Sequence, residues 1–162
     1  MTALLASVLR PTLLTGRAVS APEPWAAPLA SLGAEIGEPR DVLVVDGRPI
    51  EGLEVEETLD DAWESIRAAA NEHWIGPGRA GALLLVAPRP GIPGHPRTLR
   101  GALENLARTL SIEWSRYGIR ITTILPGVAT TDEEIATTLA FLASTAADYW
   151  SGNVVELGSA QS

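Results

Sequence analysis

The chain has 162 residues, a net charge of -8, no cysteine, and 46% hydrophobic against 20% charged residues. That length and balance suit one globular domain with its own core, and the missing cysteine excludes a disulfide framework and thiolate chemistry. The acidic charge argues against a nucleic-acid backbone or an anionic membrane as partner, since both reward clustered Lys and Arg. All twelve basic residues are Arg, which, with the abundant Ala, Gly and Pro, fits the codon bias of a high-GC bacterial gene.

Residues 1–9 are apolar and Ala18 to Ala21 (AVSA) imitates a leader cleavage site. No positive charge precedes that run, and Arg10, Pro11 and Arg17 interrupt it, so it does not read as a secretory signal. No other stretch approaches the roughly 18 apolar residues of a membrane span, and the expected location is the cytoplasm. Residues 12–16 (TLLTG) predict a first short strand ending in a Gly turn. Beyond it, Pro24 suits a first helical turn, whereas Pro28 would interrupt that helix unless it starts later.

Residues 41–46 (DVLVVD) predict a buried strand closed by Gly47. Residues 51–64 then hold seven acids and no base. This is a solvated face, and Asp60 and Asp61 complement a helix start. No His or Cys accompanies them, which argues against a metal site. A helix from about Leu59 to Trp74 carries Leu59, Trp63, Ile66, Ala70 and Trp74 on one side, with His73 as a surface or satisfied core histidine. Gly76 to Gly81 (GPGRAG) spells G-x-G-x-x-G, but it follows a helix and precedes the strand 82–87 (ALLLVA). A phosphate cradle needs the reverse order, so this is a turn.

The most informative block is 101–127, GALENLARTLSIEWSRYGIRITTILPG. Leu99, Ala102, Leu103, Leu106, Ala107, Leu110, Trp114 and Tyr117 recur at helical spacing, and Glu104 precedes Arg108 by four residues. Gly118 stops the helix, 119–125 predicts a buried strand, and Pro126-Gly127 turns it. Thr130 or Thr131 followed by acids is a helix start, giving a helix to about Ala143. Residues 153–157 give the last strand, and the end of the chain reads as a tail. Strands alternate with helices, which predicts an α/β open, mostly parallel sheet with helices on both faces.

The helix, strand and Pro-Gly turn of 101–127, with FLASTAADYWSGNVVELG at 141–158, resemble the second half of a short-chain dehydrogenase/reductase. The match is good over 88–158 and faint before it. The resemblance implies a single three-layer, Rossmann-like domain over 1–162 with a reduced number of strands. It divides into a degenerate N-terminal part (1–40), a core (41–158) and a tail (159–162). It also implies that the long helix pairs with its copy in a second subunit. In such enzymes a Tyr whose proton is made acidic by a nearby Lys serves the developing alkoxide, while a Ser polarises the carbonyl.

This chain departs from that pattern at each functional part. Pro96 falls on the Tyr position, Arg100 on the Lys position, and Ala87, Pro88 and Arg89 near the Ser. After the TLLTG strand, with Gly16 as its turn, Arg17 to Ala21 replace the glycines that would cradle a pyrophosphate. Val45, Asp46, Gly47 and Arg48 replace Asn-Asn-Ala-Gly. Thr131 falls at the Thr that would touch a nicotinamide, but a helix begins at once and the substrate lid is missing.

The expectation is therefore a non-catalytic subunit that oligomerises with itself or with an active relative. The contact would run through the helix at about 97–117, using Leu99, Leu103, Leu106, Leu110, Trp114 and Tyr117. No cofactor and no metal are expected. Two alternatives stand beside it. One is a divergent NAD- or NADP-dependent oxidoreductase using His95, Arg100, Thr131 and Gly16; the other is a small-ligand or acyl-binding module in the vacated crevice.

Overall fold

The computed structural model describes residues 13–158. Within them run β1 (Ala18–Ser20), α1 (Ala26–Ser31), β2 (Glu35–Ile36), β3 (Val42–Asp46), α2 (Val55–Ala69), β4 (Gly81–Val86), α3 (Pro96–Glu113), β5 (Ile119–Pro126), α4 (Asp132–Ala143) and β6 (Asn153–Leu157). The six strands form one sheet in the order β2-β1-β3-β4-β5-β6. Every pairing is parallel, as expected when helices cover both faces.

Alternation along the central strands divides the core between those faces. Val42, Val44, Leu84, Val86 and Ile124 meet Leu29 of α1 and Ile135 and Leu139 of α4. Leu43, Leu83, Leu85, Ile119 and Ile121 meet Ile66 of α2 and Leu103 and Leu110 of α3. A fully buried Leu or Ile stabilises by about 1.5–3 kcal/mol relative to exposure, so the near-continuous apolar runs of β3, β4 and β5 dictate a two-sided sheet.

The N-terminal third differs from the sequence expectation. Residues 13–16 form a turn, Thr12 lies outside the described residues, and the first strand is Ala18–Ser20. Leu14 is fully buried and its carbonyl accepts from Arg17 N–H at 2.9 Å, so that apolar pair anchors a turn rather than a strand. The short β2 was not anticipated, because its two residues are exposed and carry no apolar pattern. Helix α1 starts at Ala26 and takes Pro28 as its third residue, where no intrahelical N–H bond is required. Residues 13–40 thus contribute β1, α1 and β2 to the same sheet and core as the rest. The apolar run 1–9 and residues 159–162 of the tail lie outside the described residues.

Helix α2 begins before Leu59 because the acidic run supplies its start: Glu54 N–H donates to the Glu57 carboxylate at 2.9 Å. It continues through a wider turn over Ala70–Ile75, where Trp74 is fully buried and its indole N–H donates to the Pro39 and Arg40 carbonyls at 3.0 and 3.2 Å. The Gly-rich segment after it is a turn, as expected. Its last glycine, Gly81, opens β4 against the Trp74 ring, where an added Cβ would come within 2.3 Å of ring carbons. Gly118, at φ 71°, ends the helical run after α3, the conformation in which glycine is favoured.

Candidate functional site

In an open parallel sheet, the crevice at the carboxyl ends of the strands opens where the strand order reverses. Here that point lies between β1 and β3, so the loops after them, with those after β4 and β5, make the crest. The loop after β1 is Ala21-Pro22-Glu23-Pro24-Trp25. The pyrophosphate-loop position therefore falls one strand length later than the sequence suggested. Gly16 lies at the opposite end of β1, in the turn that precedes the strand, and cannot serve that loop.

The crest is cross-braced by the chain's own side chains. Trp25 is 1% exposed, and its ring lies under the Arg48 guanidinium, 5.5 Å from centroid to Cζ. Arg48 in turn binds both Asp46 carboxylate oxygens, with Nε at 2.9 and 2.8 Å. That hydrogen-bonded carboxylate raises the Arg48 pKa above its usual value against the opposing effect of burial, with Asp132 adding to the rise. Arg89, just beyond β4, donates from Nε to the Thr130 carbonyl at 2.7 Å and from Nη2 to Asp132 at 2.7 Å. The Thr130 hydroxyl accepts from Gly127 N–H at 2.8 Å and donates to the Leu157 carbonyl at 3.2 Å, sealing this loop onto β6.

Arg100, on α3, reaches across the same crest. Its Nη1 donates to the carbonyls of Pro88 and Pro126, at 2.8 and 2.7 Å, tying the ends of β4 and β5 together. Burial lowers its pKa, against the opposing pull of Glu156 and Glu104, but a guanidinium stays protonated at any ordinary pH. It therefore acts as a fixed cation and not as a proton donor. His95 is exposed and is the only non-glycine residue among those described with positive φ, at 55°. Its carbonyl accepts from Thr98 and Leu99 N–H at 3.1 and 3.2 Å, starting α3. No hydrogen bond joins His95 to Arg100 among the described residues. Thr131 caps α4: its hydroxyl accepts from Glu134 N–H at 3.2 Å, and its own N–H donates to the Glu134 carboxylate at 2.8 Å.

The loop after β1 does not fit a pyrophosphate. It holds two prolines and no glycine, and the N–H groups of Trp25 and Ala26 both donate to the Pro22 carbonyl, at 3.0 and 3.2 Å. The helix-end donors that would face an anion are thus partly consumed. Two depressions stay open along the crest: one of about 530 Å³ between the segments after β3 and β4, lined by Asp46, Arg48, Pro49, Ile50, Ile92 and Pro93, and one of about 430 Å³ where β1 and β3 end, bordered by Ser20, Pro22, Asp46, Ile50 and Asp61. Among the described residues no group of three or more His, Cys, Asp or Glu could hold a metal ion, and no helix is long and apolar enough to cross a membrane.

The long helix spends most of its apolar face internally. Leu99, Leu103 and Leu110 are 1–3% exposed, because α3 lies along β4 and β5, and they are not available to a partner. Leu106, Trp114 and Tyr117 are half-buried and border the same core. Trp114 stacks on Trp63 of α2, with ring centroids 6.3 Å apart.

No protein-family model matches the chain, and no curated protein does. Solved structures do match. A hydroxysteroid dehydrogenase from Escherichia coli aligns with a TM-score of 0.71 at 16% identity, covering 91% of this chain and 98% of that one. A citronellol catabolism dehydrogenase from Pseudomonas aeruginosa PAO1 gives 0.69 at 18%, covering 92% and 96%. A 2-keto-3-deoxy-D-gluconate dehydrogenase from Streptococcus agalactiae gives 0.63 at 13%, covering 93% and 96%. The chain therefore has the Rossmann-like fold of short-chain dehydrogenases in a shortened form. At these identities the likeness concerns the fold alone.

Proposed function

We propose that this chain is a non-catalytic, dehydrogenase-like subunit that associates with a second copy or with an active relative. The reading rests on Arg100. At the position that the resemblance gives to a catalytic Lys stands a guanidinium committed to two main-chain carbonyls, and Pro96 stands where the Tyr would be. A residue spent on joining strand ends serves the scaffold. Losing the proton donor, its Lys partner and the pyrophosphate loop together is easier to reconcile with a retained surface than with a variant reaction. No nicotinamide cofactor is required by this reading.

The association surface is narrower than the apolar pattern of α3 implies. It consists of Leu106, Trp114 and Tyr117 with Trp63 from α2. Affinity purification of the tagged protein from its own host, followed by native mass spectrometry, tests the reading. A fixed stoichiometry with itself or with a longer relative carrying Tyr-x-x-x-Lys is expected. A monomer at micromolar concentration with no partner would refute it. Stoichiometric binding of NADH or NADPH would instead favour the oxidoreductase alternative.

A further inference from the structure

The opposite edge of the sheet, at the amino ends of the strands, holds a cleft of about 420 Å³ that the reading above does not use. Arg17, Asp41, Arg120, Asp148, Ser115 and Ser151 contribute its polar wall, and Gly81 and Gly118 open its floor. We propose that this cleft binds a small oxoanion of the phosphate class between Arg17 and Arg120.

Two arginines converge here. The Arg120 side chain is only 15% exposed and its carboxylate partner is loose, with Nη2 3.5 Å from Asp148. Its Nη1 donates to the Ala147 carbonyl at 2.7 Å. Arg17 donates from Nε to the Ala143 carbonyl at 3.0 Å and makes no ion pair among the described residues. These carbonyl bonds cap the end of α4 and the turn after it, which accounts for one nitrogen of each guanidinium. They leave the Nη edge of Arg17 and the Nη2 of Arg120 as donors.

The carboxylates of the lining have other partners to satisfy. Asp41 accepts from Ala18 N–H at 2.8 Å and faces Arg79 at 3.7 Å. The lining thus holds two cations, Arg17 and Arg120, and two carboxylates, Asp41 and Asp148, with Asp41 turned in part to Arg79 outside it. Burial lowers the Arg120 pKa, and the nearby Arg17 charge lowers it further against the pull of Asp148. The two cations therefore feel each other, and a shared anion would relieve that repulsion. Guanidinium forks match a tetrahedral oxoanion in geometry as well as charge. Ser151 accepts from Ile121 N–H at 3.2 Å, which leaves its hydroxyl proton to donate.

The test is titration with inorganic phosphate against chloride at matched ionic strength, followed by amide chemical shifts in the full chain. Saturable shifts confined to Gly118, Ile119, Arg120 and Gly152 are expected with phosphate and not with chloride. Arg17→Gln should weaken binding about tenfold, Arg17→Lys less, because one fork is lost while the charge remains. Asp148→Asn removes the rival carboxylate and should tighten binding several-fold. A parallel titration with glycerol phosphate distinguishes a phosphorylated small molecule from free phosphate by which binds more tightly. Equal responses to phosphate and chloride, or unchanged binding in folded Arg17→Gln, would overturn the proposal. So would an Asp148→Asn variant that is destabilised yet still takes no phosphate, since Asp148 would then be the anion these arginines serve.

Discussion

Replacing Arg100 probes whether the crest is held by its own side chains. In Arg100→Ala the Pro88 and Pro126 carbonyls, both on buried residues, lose donors at 2.8 and 2.7 Å. Hydrogen bonds to a charged partner contribute about 1.5–3 kcal/mol each, and partial exposure of the guanidinium screens that. A loss of about 2–4 kcal/mol is expected. For a chain of this size it lowers Tm by about 4–16 °C, with the urea m-value unchanged. Arg100→Lys keeps the charge but offers a shorter, point-like donor, so it should recover about half of the loss. Urea denaturation followed by far-ultraviolet circular dichroism gives both values. A loss below about 0.5 kcal/mol for Arg100→Ala would place it among ordinary surface changes. The role given to Arg100 as a tie between strand ends would then be wrong.

Gly81 and Gly101 make a paired test of close approach. Gly81→Ala drives a Cβ into the pinned Trp74 ring and should cost about 1–3 kcal/mol or more. Gly101→Ala, in an open position on α3, should stabilise by about 0.5–1 kcal/mol; the same denaturation assay reads both, and equal signs would contradict the packing argument. Thr131→Ala removes the α4 cap and should cost about 1 kcal/mol. Thr131→Ser should restore it, and a Ser variant as unstable as Ala would contradict the capping role.

The fold was legible wherever burial leaves a periodic trace. β3, β4, β5 and β6, the long helix and α4 follow from apolar runs, helical spacing and turn residues. β1 and β2 escaped because three and two residues are too few for any pattern, and the apolar pair Leu13-Leu14 lent strand character to a turn. The acidic stretch concealed the first turn of α2, since Glu54 and Glu57 read as solvated charge until their pairing is seen. The crest was legible only by subtraction, through residues missing from a dehydrogenase pattern. What stands there instead depends on contacts at long sequence separation. Arg89 meets Asp132 across 43 residues, and Trp25 meets Arg48 across two intervening strands. The one local hint was an Arg two or three residues past the strand ends, at Arg48 after Gly47 and Arg89 after Pro88.

Those arginines give the crest a consistent logic. Where parallel strands end, carbonyls and loop termini need donors, and a bound polyanionic ligand with its loops could supply part of that organisation. Here Arg48, Arg89 and Arg100 supply it from within, each to a carboxylate or carbonyl. Arginine suits the task because its charge does not titrate in the working range of a protein and its planar head bonds to several acceptors at once. At the lower edge Arg17 has a carbonyl for one nitrogen and, among the described residues, no ion pair. The case for an outside anion therefore rests on Arg17 and Arg120, at the end of the sheet opposite to the one that the fold ordinarily uses.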